Sequence, residues 1–177
     1  MFAAGLVFKR VTAMVLAATV AHAQPKPPPS VCPQQPERAE LDFWVGTWDV
    51  FKSGTSKLVA HSRIEKLYDG CAIRENWMPL VGGPGGSLSA WDPRAKHWHQ
   101  TWTDATGATV QFDGKRVGDT MTLEGFWPDV LGPGQDGTVR MSYRRNPDGS
   151  VRQWGEVTKD GGKTWAPSFD LTYKPSH

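Results

Sequence analysis

Turn-forming residues punctuate this chain densely from residue 69 onward, and no helical pattern runs between them. Asp69-Gly70, Gly82-Gly83-Pro84-Gly85-Gly86, Asp92-Pro93, Asp113-Gly114, Asn146-Pro147-Asp148-Gly149 and Asp160-Gly161-Gly162 all carry turn chemistry. Glycine supplies positive φ there, proline a preset φ, and Asp or Asn a side-chain bond to the backbone. The intervening segments are short and rich in Trp, Val, Thr, Phe and Tyr. They predict about ten strands, over 46–53, 58–68, 71–78, 87–92, 97–104, 108–113, 120–127, 138–145, 151–158 and 168–174. Hairpin-length connections make neighbouring strands antiparallel. An even number of such strands can close edge to edge and remove the exposed edges that invite aggregation. The predicted fold is therefore all-β, an antiparallel up-and-down barrel, with an open sandwich as the competing arrangement.

The N-terminal part reads differently. Lys9 and Arg10 precede an apolar run, VTAMVLAATV (11–20), and Ala21-His22-Ala23 has the small-x-small pattern of a signal-peptide cleavage site. That run is too short to span a bilayer, and no later segment is long enough. Residues 1–23 are thus predicted to be a leader and the protein to be periplasmic or secreted. Residues 24–36, QPKPPPSVCPQQP, hold six prolines and no apolar periodicity, the composition of a semi-rigid linker. The barrel domain is assigned to 37–177. Its first residues form a short helical turn, with Pro36 at the first helical position and Leu41, Trp44 and Val45 at i, i+3, i+4.

Charge and cysteine usage exclude some partners and constrain the tail. All 18 acidic residues lie beyond the leader, against 18 of the 20 basic ones, so the remaining chain is formally neutral. No Lys/Arg run is left to neutralise a row of phosphates, which argues against nucleic acid as a partner. Cys32 and Cys71 are the two cysteines. In an oxidising compartment such a pair is expected to form a disulfide, tying the proline-rich segment to the start of a strand.

Strand alternation sketches an interior, since residues two apart share a face. Cys71, Ile73, Glu75 and Trp77 form the apolar face of one strand, opposite Ala72, Arg74 and Asn76. Trp98, Gln100 and Trp102 share a face on another, opposite His99, Thr101 and Thr103. Val139, Met141 and Tyr143 alternate with Arg140, Ser142 and Arg144. Val110 with Phe112, Met121 with Leu123, and Phe169, Leu171 and Tyr173 complete the lining, while 151–157 is ambiguous by parity. The predicted interior is aromatic and sulfur-rich with three polar groups, Glu75, Gln100 and Tyr143. Such a composition suits a pocket that orients a small ligand. A buried carboxylate needs a cation, a hydrogen-bond donor or a raised pKa, and Gln100, Tyr143, Arg63 and Arg74 are its candidate partners.

Other constellations carry less. His97 and His99 share an outward face and need a third ligand such as Asp92 or Asp104 to hold a metal, so no metal is assigned. Ser87 and Ser89 have no identifiable base, and no nucleophile elbow is present. Glu65 and Glu75 are a carboxylate pair whose separation sequence does not fix. Gly82–Gly86 lacks the Lys-Ser/Thr of a phosphate loop, and reads as a hairpin loop or lid at a barrel mouth. The segment 158–165 resembles an Asp-box hairpin, a structural turn in which Asp160 accepts backbone bonds and Trp165 packs. No catalytic residue and no cofactor is assigned.

LDFWVGTWDV (41–50), DGCAIRENW (69–77), WDPRAKHWHQTW (91–102), SVRQW (150–154) and DGGKTW (160–165) together resemble a family of small exported bacterial proteins of unknown function, akin to the lipocalin-like (calycin) barrels. Gly46-x-Trp48 after a short helix also resembles the lipocalin signature, in which the Trp packs across the closed end. The resemblance implies a fold and brings no catalytic residues. The leading expectation is an exported, non-catalytic barrel that binds a small apolar or aromatic ligand. Glu75, Gln100 and Tyr143 would be its polar anchors, and Trp77, Trp98, Trp102 and Met141 its walls. One alternative is a small-molecule isomerase or hydrolase using Glu75 as acid/base. Another is an envelope structural or assembly protein, which would show a large exposed apolar patch instead of a cavity. Nothing in the sequence fixes an oligomeric state.

Overall fold

A computed structural model describes residues 29–176; the leader assigned to 1–23 and the first residues of the linker lie outside the described residues. Ten strands follow one another: β1 (Gly46–Lys52), β2 (Leu58–Leu67), β3 (Ala72–Pro79), β4 (Gly85–Asp92), β5 (His97–Asp104), β6 (Thr109–Val117), β7 (Thr120–Trp127), β8 (Gly137–Arg145), β9 (Val151–Thr158) and β10 (Ala166–Pro175). Each pairs antiparallel with its chain neighbour, and β1 also pairs with β10, so the sheet is a closed barrel. The strand set matches the expectation from turn spacing, and the sandwich alternative is excluded by the β1–β10 ladder.

The main departure concerns Asp113-Gly114, which does not turn the chain. β6 runs through it to Val117, and Gly118-Asp119 makes the hairpin instead. A Cβ on Gly114 would lie 1.9 Å from the Thr122 carbonyl oxygen. The glycine is there because the β6 and β7 backbones approach closely, a strand role that a Asp-Gly pair also fits. The glycine run at 82–86 is likewise shared between a loop and the start of β4.

Two short 3-10 turns, Pro36–Ala39 and Asp42–Trp44, replace the single helical turn expected after Pro36, and a third covers Cys32–Gln34. They close one end of the barrel. Leu41 and Trp44 are buried there, and the Trp44 ring centroid lies 5.0 Å from that of Tyr143. The Trp44 indole N–H is buried without an acceptor among the described residues. Trp48, two residues into β1, donates its indole hydrogen to the Trp44 carbonyl at 2.9 Å. Gly46 leaves room for that indole: at φ 155°, a Cβ there would sit 3.1 Å from the ring. Cys32 and Cys71 lie at disulfide distance, with Cα atoms 5.1 Å apart. Arg38 donates to the Cys71 carbonyl at 2.9 Å, holding the same segment on the barrel. Ala72, expected outside by alternation, is buried as well, at the strand end where this N-terminal segment attaches.

The interior faces otherwise follow parity. Ile73 and Glu75, Val110 and Phe112, Met121 and Leu123, and Val139, Met141 and Tyr143 are all buried, with alternating neighbours more exposed except Ser142, which is buried on the opposite face of β8. The ambiguous β9 resolves in favour of Val151, Gln153, Gly155 and Val157 inside, leaving Arg152, Trp154 and Glu156 outside. In the hairpin at 158–165, Asp160 accepts from the Thr164 amide at 2.9 Å, and Arg140 stacks on Trp165 with 3.8 Å to the ring centroid. No helix among the described residues is long and apolar enough to cross a membrane.

Candidate functional site

The half of the barrel away from the 3-10 plug encloses a cavity of about 260 Å³. Its position follows from strand direction. β3, β5 and β7 start at the plugged end, so inward residues late in these strands surround the open half. Trp77, Trp102 and Trp127 are those residues, and each lines the cavity. Phe169 and Leu171 enter from the start of β10, which runs the other way. The floor is formed by Glu75, Gln100, Gln153, Tyr143 and Tyr173 together with Met141.

Six of the seven residues assigned from sequence as anchors and walls therefore meet in one place: Glu75, Trp77, Gln100, Trp102, Met141 and Tyr143. Trp98 does not. It is the second residue of β5, near the plug, and its indole donates to Glu40 of the 3-10 segment at 3.0 Å. Trp102 shares its face but lies four residues, ~13 Å, further along the strand.

Register explains the polar contacts on the floor. Glu75 stands directly across from Ser87 on β4 and diagonally from Ser62 on β2, whose direct partner is Trp77. The Ser62 hydroxyl donates to Glu75 Oε1 at 3.1 Å and the Ser87 hydroxyl to Oε2 at 3.3 Å. These serines, with Tyr173, take the place of the partners expected from sequence. Arg63 and Arg74 point outward and both bind Glu65, where Arg74 foremost holds that carboxyl below its usual range. Gln100 stands across from Ser89 and donates to its hydroxyl at 2.9 Å. Gln153 stands across from Tyr143 and donates to its phenol oxygen at 3.1 Å.

The Tyr173 hydroxyl links the two halves of this network. It lies 2.6 Å from Gln153 Oε1 and 3.5 Å from Glu75 Oε1, with one hydrogen to give. The shorter contact takes that hydrogen, so the phenol oxygen turns lone pairs toward Glu75. A protonated Glu75 can donate to it; an ionised one cannot. Burial is the main force on the carboxyl and pushes its pKa up to about 7, against the lowering by the Ser62 and Ser87 hydroxyls. Burial and the nearby Glu75 charge likewise push the phenols of Tyr143 and Tyr173 up, so both stay neutral donors.

Sequence reasoning missed Gln153 because β9 alternates polar with apolar on both faces. It placed Tyr173 inside, yet only as apolar wall. It set Ser87 aside as a nucleophile without a base and did not consider Ser62, because short hydroxyls become partners of Glu75 only once the register is known. A cue for Gln153 existed in Arg152 and Glu156, which flank it and belong outside.

On the outer face, His97 and His99 converge on Asp113, at 3.2 and 2.7 Å, rather than on Asp92 or Asp104. No group of three or more potential metal ligands occurs among the described residues. The chain matches no protein-family model, and no curated protein matches it.

Proposed function

We propose that the protein binds one small, partly aromatic molecule inside the barrel, without a cofactor. The observation that supports this most is the cavity itself. Apolar and aromatic walls enclose about 260 Å³ above a floor of hydrogen-bonding groups. Interiors otherwise pack to crystal-like density, and a void of this size forfeits dispersion contacts unless something fills it. Walls of this kind favour an aromatic guest, and the floor gives it orientation. The leader-like N-terminus and the paired cysteines support export to the periplasm or medium, and the barrel with its Gly46-x-Trp48 plug supports kinship with the lipocalin-like proteins. Titration of tryptophan emission with compounds of one or two aromatic rings tests the reading. Saturable change at one site per chain supports it; collisional quenching alone across the panel refutes it.

A second reading rests on Glu75. A carboxyl poised near neutrality in an enclosed site has the acidity of a general acid/base. On that reading the ligand is transformed, by isomerisation or hydrolysis, and Glu75→Gln abolishes turnover. The envelope or assembly alternative draws little support from the tryptophans. Trp44, Trp48 and Trp98 are in the core, and Trp77, Trp91, Trp102 and Trp127 pack against it.

A further inference from the structure

The cavity is one-sided in charge. Glu75 lines it, and among the described residues no Lys, Arg or His does. Aromatic rings dominate the rest of the wall, and a ring face carries the negative part of its quadrupole. The amide hydrogens that could greet an anion are partly committed: Gln100 donates to Ser89, and Gln153 to Tyr143. The Tyr173 hydrogen goes to Gln153, leaving Glu75 with two hydroxyl donors at 3.1 and 3.3 Å and an unmet oxygen lone pair. Each feature favours positive charge in the cavity and opposes negative charge.

We infer that the ligand is an organic cation, a protonated amine carried on an aromatic ring, with its ammonium group on Glu75 and its ring between Trp77, Trp102 and Trp127. This deepens the binding reading above and rests on it. The size fits. A dry cavity of ~150 Å³ accommodates benzene, so about 260 Å³ leaves room for one ring and a short amine-bearing chain.

Proton release accompanies such binding. The groups facing Glu75 are Ser62 from β2, Ser87 from β4 and Tyr173 from β10, with the Tyr143 phenol of β8 beyond; none is basic. An empty cavity therefore keeps the carboxyl partly protonated at neutral pH, with burial holding its pKa at about 7. A bound ammonium displaces that proton. Between pH 6 and pH 8 the ionised fraction of Glu75 rises about tenfold, whereas an alkylamine with a pKa near ~10.4 keeps its charge. Affinity for the cation rises with pH accordingly.

The test is calorimetric titration of the purified protein with 2-phenylethylamine, 2-phenylethanol and phenylacetate at pH 6, 7 and 8. The amine is expected to bind about tenfold more tightly at pH 8 than at pH 6, to exceed the alcohol at pH 8, and to exceed phenylacetate throughout. In Glu75→Gln the amine's pH dependence should flatten, with near-UV circular dichroism checking the fold; if that variant does not fold, the pH series on the unaltered protein decides. An alcohol that binds as tightly as the amine, or a tighter phenylacetate, overturns the cation inference and leaves ligand binding standing. No heat from any of the three overturns both.

Discussion

Glu75 sits where a carboxyl is expensive to ionise: it is 5 % exposed and, among the described residues, faces no cation and has only two hydroxyl hydrogens within reach. Its folded pKa, about 7, lies above the ~4.3 of an unfolded glutamate. The folded state thus holds the proton more tightly than the unfolded one. Stability from this group is complete below the unfolded pKa, falls as pH climbs from about 4 through 7, and levels off above. The loss is on the order of 3 kcal/mol. Urea midpoints of Glu75→Gln and the unaltered protein, compared at pH 5 and pH 8, measure it. The variant is expected to gain on the unaltered protein by that order between the two pH values; a constant difference would place Glu75 in a far more hydrated site. Trp48 is a different kind of residue. Its indole is 5 % exposed, bonded to the Trp44 carbonyl and set edge-on to Tyr173 at 6.4 Å between centroids. Trp48→Ala is expected to cost about 3–5 kcal/mol in urea unfolding. Because Tyr173 belongs to the cavity floor, that loss also loosens the site from below.

At the scale of elements, β9 and β10 carry the least regular part of the wall. Gly155 pairs directly with Phe169, and a Cβ on Gly155 would lie 2.2 Å from the Phe169 ring. The ring lies over the glycine, and a bulge between Pro167 and Phe169 lets it do so. Gly155→Ala should displace Phe169, cost about 1–3 kcal/mol as overpacking does, and weaken ligand binding in the emission titration. The N-terminal 3-10 turns depend on their tether to Cys71. The chain-entropy account gives a bridge closing this loop roughly 3–4 kcal/mol. Replacing both cysteines with serine should lower the urea midpoint by a corresponding amount. The strands themselves were legible in the sequence because turn chemistry and period-two alternation are local signals. Gly114 was misread for the same reason: a local Asp-Gly pair says turn, and only the neighbouring strand says close approach. Ser62 and Ser87 were illegible because their roles arise from pairing between strands, which alternation within one strand does not encode, whereas the inward face of Gln153 was signalled only by its outward neighbours Arg152 and Glu156.

At the scale of the whole molecule, a plug and a cavity follow one another along the axis of a closed sheet. The plugged end holds Leu41, Trp44, Trp48 and Trp98 as structure, and the other half holds Trp77, Trp102 and Trp127 around open space. Aromatic residues thus divide by position along strands of known direction, with the same residue type closing one end and lining the other. Trp98 shows how fine the division is, since parity alone places it with Trp102. That division also supplies the most direct test of ligand binding in the barrel: the tryptophan indole N–H signals in a proton–nitrogen correlation spectrum, followed as 2-phenylethylamine is added at pH 8. The account predicts saturable shifts at Trp77, Trp102 and Trp127, with Trp154 and Trp165 on the outer surface unmoved. Shifts confined to Trp154 and Trp165, or none that saturate, would contradict it.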